Sequence, residues 1–292
     1  MSFGAARFSA SPRAASRSAA SPLAVSSFAA AALRNALIVL LALCIFGPLT
    51  NLLLWTVTEA WYFPAKLPVS WGFSYWTRVF RPEAGAMLAL GNSVLIALST
   101  VALSTLVAIP AGYALAQRGL PLRSLFLLLF LLPQAFPAIA VHLNIARIFY
   151  GFGLNGTITG VVLVHALQGL VFSVWITSAA FAAVGSEPIE AARNLGASPL
   201  RAFCDVSLPL ASPGIIASAI FVFLISIDEF SGTFFVGAPE ISTLPLQLYS
   251  AATEGNYQIA SITALLLLLP SILFMFVVER FLRADVLAKI GT

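Results

Sequence analysis

The sequence predicts an all-α membrane protein with six transmembrane helices, both termini in the cytoplasm, and a cytoplasmic helix pair between the fourth and fifth helices. Of the 292 residues, 60% are hydrophobic and only 9% are charged, whereas about a quarter of an ordinary soluble domain is charged. Six stretches of at least 22 residues carry no charge, and about 20 apolar residues suffice to cross a bilayer. Lysine and arginine lie mainly on one side of these stretches, which sets the orientation.

The same composition disfavours a soluble enzyme, a nucleic-acid-binding protein and a secreted disulfide scaffold, because a soluble surface needs more charge. Cys44 and Cys204 are too few and too scattered for a disulfide framework or a zinc site. His142 and His165 are the only histidines, too few for a typical metal site. We therefore expect no bound metal and no nucleic-acid partner.

The charge-free stretches place the six helices in order. Residues 35–58 and 84–117 each hold one helix, and 124–146 holds a third. The 39-residue stretch 148–186 is broken by a glycine-rich segment near its start, so it is interpreted as a loop followed by one helix. Pro209 and Pro213 interrupt the fifth stretch, 206–227, near its start, so its helix is expected to continue past Asp228 and Glu229. The sixth stretch is 255–278. The predicted helices are 36–57, 87–115, 124–148, 158–184, 214–236 and 258–281.

The orientation follows from the basic residues. With the N-terminus inside, eleven lysines and arginines are cytoplasmic and four, Lys66, Arg78, Arg81 and Arg147, lie outside. Tryptophan and tyrosine side chains bracket the first outer loop, as expected of an aromatic belt at the membrane interface. These residues are Trp55, Trp61, Tyr62, Trp71, Tyr75 and Trp76.

The domain organisation is a transmembrane domain over residues 34–285 between two tails. Residues 1–33 are mostly alanine and serine with three arginines and no acid, and such a segment cannot bury enough apolar surface to fold. We interpret it as a disordered cytoplasmic tail rather than an organellar transit peptide or a cleaved secretory signal. Residues 286–292 form the C-terminal tail.

Motifs of catalysis and nucleotide binding are absent from the sequence. It contains no Gly-x-Ser-x-Gly elbow, no His-Glu-x-x-His and no Cys-x-x-Cys. Lys66 and Lys289, the two lysines, do not follow glycine, so the Walker A phosphate cradle is missing. We expect no catalytic site and no cofactor in this chain.

The one long polar segment, residues 185–212, predicts two short helices joined by a bend. Ser186 is expected to cap the first helix, and Gly196 to end it in a left-handed conformation. Ser198 caps and Pro199 opens the second helix, which Pro209 ends. An apolar face comprises Ile189, Ala192, Leu195, Leu200 and Phe203. Two interpretations remain open, namely docking into a groove of a soluble partner and an ordinary helix lying on the lipid headgroups.

This segment, at 186–209, resembles the EAA loop of permease subunits of binding-protein-dependent ABC importers. Glu190-Ala191-Ala192, then Gly196, then Val206-x-Leu208-Pro209 reproduce the spacing of that loop, and the likeness extends over about residues 85–285. The resemblance implies that this is a coupling loop. Glu190 would pair with a basic residue of an ATPase subunit, Ala191 and Ala192 would pack closely, and Gly196 would form the bend. ATP and Mg²⁺ would then be bound by the partner ATPase dimer.

The downstream sequence is similar to the second permease of spermidine/putrescine-type importers. The runs that carry this likeness are 226–230, 234–239 and 243–250. It implies transport of a polyamine or a similar small cationic solute across a bacterial inner membrane; iron, an aminophosphonate or a sugar are alternatives. It also implies a second permease in a heterodimer, with a homodimer as the alternative, and a periplasmic solute-binding protein. That protein would dock on an outer face formed by 58–86, 149–157 and 237–257.

Seven polar residues are predicted to lie in the outer half of the bilayer, where ionised groups are costly and usually face protein or water. We hypothesise that they line a translocation path and that Asp228 or Glu229 favours a cationic solute. The alternative is that they form structural hydrogen bonds within the bundle. The seven are Asn92, His142, Asn144, His165, Gln168, Asp228 and Glu229.

Two rival functions remain. A nucleotide-independent channel or secondary transporter would usually show internal repeats, and none is visible. An intramembrane enzyme would need a serine paired with His142 or His165, and no recognisable motif supports it.

Overall fold

A computed structural model describes the backbone of residues 22–116 and 121–290 and the side chains of residues 30–116 and 121–276. Of the described residues, those up to Leu52 form one compact unit and those from Leu53 onward form a second. The helices are α1 (Pro22–Thr56), α2 (Ser74–Val79), α3 (Ala86–Ala116), α4 (Arg123–Leu131), α5 (Ala138–Gly151), α6 (Ile158–Val184), α7 (Glu187–Asn194), α8 (Pro199–Ala202), α9 (Leu208–Ile227), α10 (Leu244–Thr253) and α11 (Tyr257–Ile290). A short antiparallel pair, β1 (Thr58–Ala60) and β2 (Ser70–Trp71), follows α1.

The prediction of a helical membrane protein is confirmed. In the described part of the chain, five helical runs are long and apolar enough to cross a membrane, and a bent pair makes a sixth if it is counted as one span. The five runs are Ala30–Thr56, Ala86–Ala116, Ile158–Val184, Pro199–Ile227 and Tyr257–Phe276. The fourth predicted helix, 158–184, matches α6 at both ends, because Thr157 caps it through the Gly160 N–H and Gly185 follows with a positive φ of 76°.

The centre of the second unit is the packing of α3, α6 and α9. The buried positions of α3 recur every three or four residues, which is the spacing of one helix face, and most carry small side chains. They are Ala86, Ala89, Ser93, Ile96, Ala97, Thr100, Ser104, Ala108, Gly112 and Leu115. Small residues let helix backbones approach closely, the usual mode of packing within membranes.

Helix α3 approaches α6 closely at Gly112. A Cβ at this position would lie 2.9 Å from the backbone nitrogen of Ser178 and 2.8 Å from Thr177 Cγ2. We expect Gly112→Ala to destabilise the bundle by about 1–3 kcal/mol, because overpacking forces backbone shifts. Thermal unfolding of the purified chain measures this. Gly91→Ala in the same helix is the matched control, since a Cβ there meets nothing within 4 Å, and equal unfolding temperatures for the two variants would contradict the prediction.

The prediction of one straight third helix over 124–148 is wrong. The segment Arg123–Ala135 and the helix Ala138–Gly151 are bent by 94° relative to each other. Phe136, between them, is extended at φ −108° and ψ 151°. Proline disfavours a helical conformation in the residue before it and donates no backbone hydrogen bond, so Pro133 and Pro137 together account for the break.

The fifth helix is displaced towards the N-terminus from its predicted range of 214–236. A continuous helical run covers Pro199–Ile227, so Pro209 does not end the preceding helix. Pro209 lies in the first turn of α9, where its missing N–H costs little. Pro213 cannot donate to the Pro209 carbonyl, and the Ser212 hydroxyl donates to that oxygen instead at 2.8 Å. The helix ends at Ile227 with Asp228 as its C-cap, so Glu229 lies outside it.

Helices α1 and α11 extend beyond residues 34 and 285, the predicted limits of the transmembrane domain. Residues 22–33 belong to α1 and residues 286–290 to α11, so these parts of the two predicted tails are helical. The remainder of the predicted tails, residues 1–21 and 291–292, lies outside the described residues, as does Arg118.

Candidate functional sites

The helix pair α7–α8 is shaped by local signals that the sequence carries. Gly196 has φ +92°, and it donates to the Arg193 carbonyl while Ala197 donates to the Ala192 carbonyl, both at 3.0 Å. This is the Schellman arrangement, which satisfies the last carbonyls of a helix through a left-handed residue. Ser198 accepts a hydrogen bond from the Arg201 N–H at 3.3 Å, as predicted.

Two predictions for this helix pair differ from the structure. Ser186 precedes α7 but makes no side-chain capping bond, because it is already helical at φ −90° and ψ −28°. Phe203 does not lie on the exposed apolar face. Its ring packs against Tyr113 of α3 and Phe181 of α6, at centroid distances of 4.7 and 6.0 Å, so it anchors the pair to the bundle.

The side chains at the tip of the helix pair are largely exposed. Leu195 and Leu200 are 90% and 71% exposed, and Glu190 and Ala191 are exposed beside them while Ala192 is half-buried. Among the side chains that the structure describes, Glu190 makes no ion pair. An apolar tip with an unpaired carboxylate is the surface expected of a contact with another protein.

The base of the helix pair continues directly into α9. Between α8 and α9 the backbone forms a π-helical segment, Phe203–Ser207, so that the helical run is unbroken. Leu208 packs in the same cluster as Phe203, against Phe181, Ala211 and Ile215, whereas Pro209 is exposed. The second helix of the pair is therefore continuous with α9.

The three segments predicted to form the outer face lie in contact with one another. The Gly156 N–H donates to the Val236 carbonyl at 2.8 Å, which joins the loop after α5 to the segment before α10. The Gln247 amide of α10 donates to the Ala84 carbonyl at 2.6 Å. Val236 immediately precedes the segment 237–257, and a Cβ on Gly156 would lie 3.0 Å from Glu240 Oε2. Residues 237–257 therefore adjoin both 58–86 and 149–157.

Glu59 connects the β1–β2 hairpin to α2. Its carboxylate accepts hydrogen bonds from the Ser74 hydroxyl at 2.5 Å and from the Ser74 N–H at 2.8 Å. These two bonds, the hydroxyl bond first, lower the pKa of Glu59 from its ordinary value. The bonds tie α2 to β1, so this part of the outer face is a fixed structure rather than an open loop.

A polar cluster joins three elements of the bundle. Gln168 Nε2 of α6 lies 3.2 Å from His142 Nε2 of α5, and His142 Nδ1 lies 2.7 Å from Ser231 Oγ. The Ser231 hydroxyl donates to Glu229 Oε1 at 2.8 Å, and the Gly232 N–H donates to the same oxygen at 2.8 Å. One tautomer of His142, with its proton on Nδ1, satisfies every bond. Gln168 then donates to Nε2, and the Nδ1–H donates to the Ser231 oxygen.

The polar cluster connects α5, the second helix of the bent pair, to its neighbouring elements. His142 is fully buried and lies 3.6 Å from Glu229 Oε1, whose side chain is 11% exposed. Through these contacts α5 is attached both to α6 and to the turn after α9. The Glu229 carboxylate also fixes the turn that follows it, because it accepts a hydrogen bond from the Gly232 N–H three residues later.

A second buried histidine is satisfied by hydroxyl groups. His165 Nδ1 lies 2.9 Å from Ser226 Oγ, and His165 Nε2 lies 2.9 Å from Thr233 Oγ1. Both ring nitrogens therefore have partners, and all three side chains are buried. In the described residues no group of three or more histidine, cysteine or acidic side chains is arranged to hold a metal.

The seven predicted polar residues do not form one site. Gln168 and Glu229 both lie against His142, and His165 and Glu229 both lie beside Gly232. Asn92 instead donates to the Ser242 carbonyl at 2.9 Å. Asn144 is exposed and donates to Ala140 within its own helix at 2.7 Å, and Asp228 is exposed after the end of α9.

Sequence reasoning missed the hydroxyl groups of this region. Ser226, Ser231 and Thr233 complete the two histidine environments. The available signal was their density, since the eight residues from 226 to 233 include five polar side chains. Serine and threonine are common in membrane helices, so their presence alone does not single them out.

Comparison with known proteins identifies close relatives in sequence. The family described as "Binding-protein-dependent transport system inner membrane component" matches residues 108–286. A putative ABC transporter permease protein, ORF1 of Streptomyces antibioticus, is 32% identical over 71% of this chain and 90% of its own length. The putative 2-aminoethylphosphonate transport system permease PhnV of Salmonella typhimurium is 26% identical over 83% of this chain and 91% of its own. The trehalose transport system permease SugB of Mycobacterium tuberculosis is 27% identical over 73% and 80%.

Solved structures share the fold. A chain of a bacterial ABC transporter involved in the import of the acidic polysaccharide alginate superposes with a TM-score of 0.67 and 21% identity, over 87% of this chain and 97% of that one. A chain of the inward-facing methionine ABC transporter MetNI superposes with a TM-score of 0.53 and 19% identity, over 70% and 99%.

Proposed function

The chain belongs to the family of inner-membrane components of binding-protein-dependent transport systems, the permeases of ABC importers, and we propose that its α7–α8 pair receives the force of ATP hydrolysis from a separate ATPase dimer. The chain forms half of the translocation path for a small solute. Its termini lie in the cytoplasm, and a periplasmic binding protein delivers the solute at the opposite face of a bacterial inner membrane.

One observation carries the coupling proposal, namely that α8, the second helix of the exposed pair with the EAA spacing, continues into α9 as one helical run. Leu195 and Leu200 provide the apolar contact, Glu190 provides the ionic contact, and Ala191, Ala192 and Gly196 allow close approach at the bend. When the ATPase subunits close, the displaced tip moves α9 against α3 and α6, as a rigid-body transition between two packed states.

The outer face supports docking of the binding protein. Residues 237–257 adjoin both 58–86 and 149–157, which supports engagement of the three segments by one partner. A second, related permease completes the translocation path as a heterodimer. A homodimer is the alternative.

Affinity purification of the tagged chain with its native partners tests this function. We expect an ATPase subunit and a second permease to copurify, and uptake into proteoliposomes to require ATP and the binding protein. Uptake that proceeds without nucleotide would favour the rival channel or secondary transporter and contradict the proposal.

The solute is proposed to be a small organic molecule that carries an ammonium group, such as a polyamine; an aminophosphonate, a zwitterion with such a group, is an alternative. Glu229 Oε1 is already occupied by Ser231 and Gly232, so Asp228 is the carboxylate available to an ammonium group. PhnV is named for an aminophosphonate, which carries such a group. SugB is named for a sugar, and a neutral sugar is therefore the second candidate.

Asp228→Asn is expected to reduce uptake of a cationic solute about fivefold. An exposed ionic contact contributes about 1 kcal/mol or less, which corresponds to that factor. ATPase activity stimulated by the binding protein is measured in parallel and stays coupled. Glu187→Gln, an exposed carboxylate of α7 outside the EAA spacing, is the control. Unchanged uptake and unchanged preference between cationic and neutral solutes in Asp228→Asn would contradict this assignment.

A further inference from the structure

A cavity of about 460 Å³ lies at the outer end of the second unit, away from the polar cluster and the helix pair. Its size falls within the range of small-molecule sites in proteins. Four aromatic residues and two residues of opposite charge contribute to its wall. The lining residues are Trp55, Trp61, Tyr75, Arg78, Glu254, Gly255, Asn256, Tyr257 and Gln258.

The aromatic residues are already packed against one another. Trp55 and Trp61 stack with ring centroids 4.6 Å apart, and Tyr257 lies 5.2 Å from Trp55. The Trp61 indole N–H donates to the Ala65 carbonyl at 3.0 Å, which fixes the ring. The rings therefore form a preorganised wall, and such walls bind ammonium groups through cation–π attraction, with tryptophan the strongest.

The two charged residues of the cavity are unpaired. The Arg78 guanidinium lies 4.7 Å above the Tyr75 ring, so its hydrogen-bond donors remain available at the edge. Within the described side chains, neither Arg78 nor Glu254 forms an ion pair. The cavity thus offers an anion-binding arginine and a carboxylate next to an aromatic wall.

The cavity also has a defined position relative to the membrane. Trp55 lies at the end of the candidate span Ala30–Thr56, and Tyr257 begins the candidate span Tyr257–Phe276. The ends of two spans mark the level at which hydrocarbon gives way to lipid headgroups, and tryptophan and tyrosine are enriched there. The site is therefore at the depth of phospholipid headgroups.

We propose that this cavity binds the headgroup of a zwitterionic phospholipid. The lipid phosphate accepts hydrogen bonds from Arg78, as phosphates do from guanidinium groups. The ammonium lies against Trp55, Trp61 and Tyr257 and is neutralised by Glu254. A bound lipid would bridge the segment after α1 and the start of α11.

Native mass spectrometry of the purified full chain tests this, with phosphatidylethanolamine and phosphatidylglycerol titrated separately. We expect the ethanolamine lipid to bind about tenfold more tightly. Glu254→Gln reduces this preference, because only the ethanolamine lipid carries an ammonium group; the aromatic wall accounts for the preference that remains. Arg78→Gln weakens both lipids, because both carry the phosphate. Arg81→Gln and Glu83→Gln change neither affinity, since these exposed residues do not line the cavity.

Three outcomes would overturn the proposal. The first is equal affinity for the two lipids with no effect of either variant. The second is displacement by glycerophosphoethanolamine at the same affinity as the intact lipid, which would make this a site for a free zwitterion. The third is a loss of binding-protein docking in Arg78→Gln or Glu254→Gln while lipid binding is unchanged, which would make it part of a protein interface. Each outcome is independent of whether the chain transports solute.

Discussion

Replacing Glu190 with arginine is expected to abolish copurification of the ATPase subunit and ATP-dependent uptake. Glu190 is exposed at the tip of the α7–α8 pair, where the resemblance implies that it pairs with a basic residue of the ATPase. Loss of one partner of a desolvated ion pair costs about 2–5 kcal/mol, and arginine adds repulsion between like charges. The lower limit already corresponds to about thirtyfold in affinity.

Glu187→Arg is the matched control for this variant. Glu187 and Glu190 both lie in the first turn of α7, so either reversal costs the helix a similar amount, about 0.3–1 kcal/mol. Glu187 lies outside the EAA spacing, and its variant is expected to retain the ATPase. Equal recovery of the ATPase with both variants, measured by quantitative immunoblot against unchanged amounts of permease, would remove Glu190 from the interface.

Replacing Glu229 with leucine is expected to lower the unfolding temperature of the purified chain by about 5–10 °C. The substitution leaves the Gly232 N–H and the Ser231 hydroxyl without their acceptor, and each unsatisfied buried group costs about 1–3 kcal/mol. In a protein of this size, 1 kcal/mol corresponds to about 2–4 °C. The larger consequence is the release of His142, and with it α5, so uptake falls together with stability.

Glu229→Gln separates the two roles that the sequence left open for this residue. Glutamine keeps one carbonyl oxygen as an acceptor, and most of the stability and uptake should return if Glu229 acts by positioning α5. Asn144→Ala, an exposed position on the same helix, controls for substitution in α5. A stable Glu229→Gln variant that has lost uptake of cationic solutes alone would show that the charge of Glu229 contacts the solute.

The sequence predicted the spans from missing charge, and that signal has a definite limit. The absence of charge shows that a segment can be surrounded by hydrocarbon, but it carries no information about direction. The third span is charge-free from 124 to 146, and yet Pro133 and Pro137 divide it into two helices at 94°. The predicted range of the fifth helix starts too late, because the sequence pattern favours Pro209 as the end of the preceding helix. In the structure Pro209 lies in the first turn of α9.

The candidate sites contain local features, which the sequence predicts, and contacts between distant residues, which it does not. The bend at Gly196 and the cap at Ser198 are local features, so the sequence predicted them directly. The pairing of His142 with Ser231 joins residues 89 positions apart, and it depends on the break in the third span. Depth alone grouped Asn92 and Asn144 with the histidines, although neither shares a contact with them.

The π-helical turn at Phe203–Ser207 changes how side chains on either side of it are related in angle. A regular helix advances about 100° per residue, and a π turn accommodates one additional residue without breaking the helix. A helical wheel drawn across this turn misassigns every later residue of α9 by roughly that angle. The direction in which a force on the α7–α8 tip would rotate α9 therefore cannot be read from a regular helical wheel. When the motions of two such permeases are compared, their π-helical turns have to be aligned first.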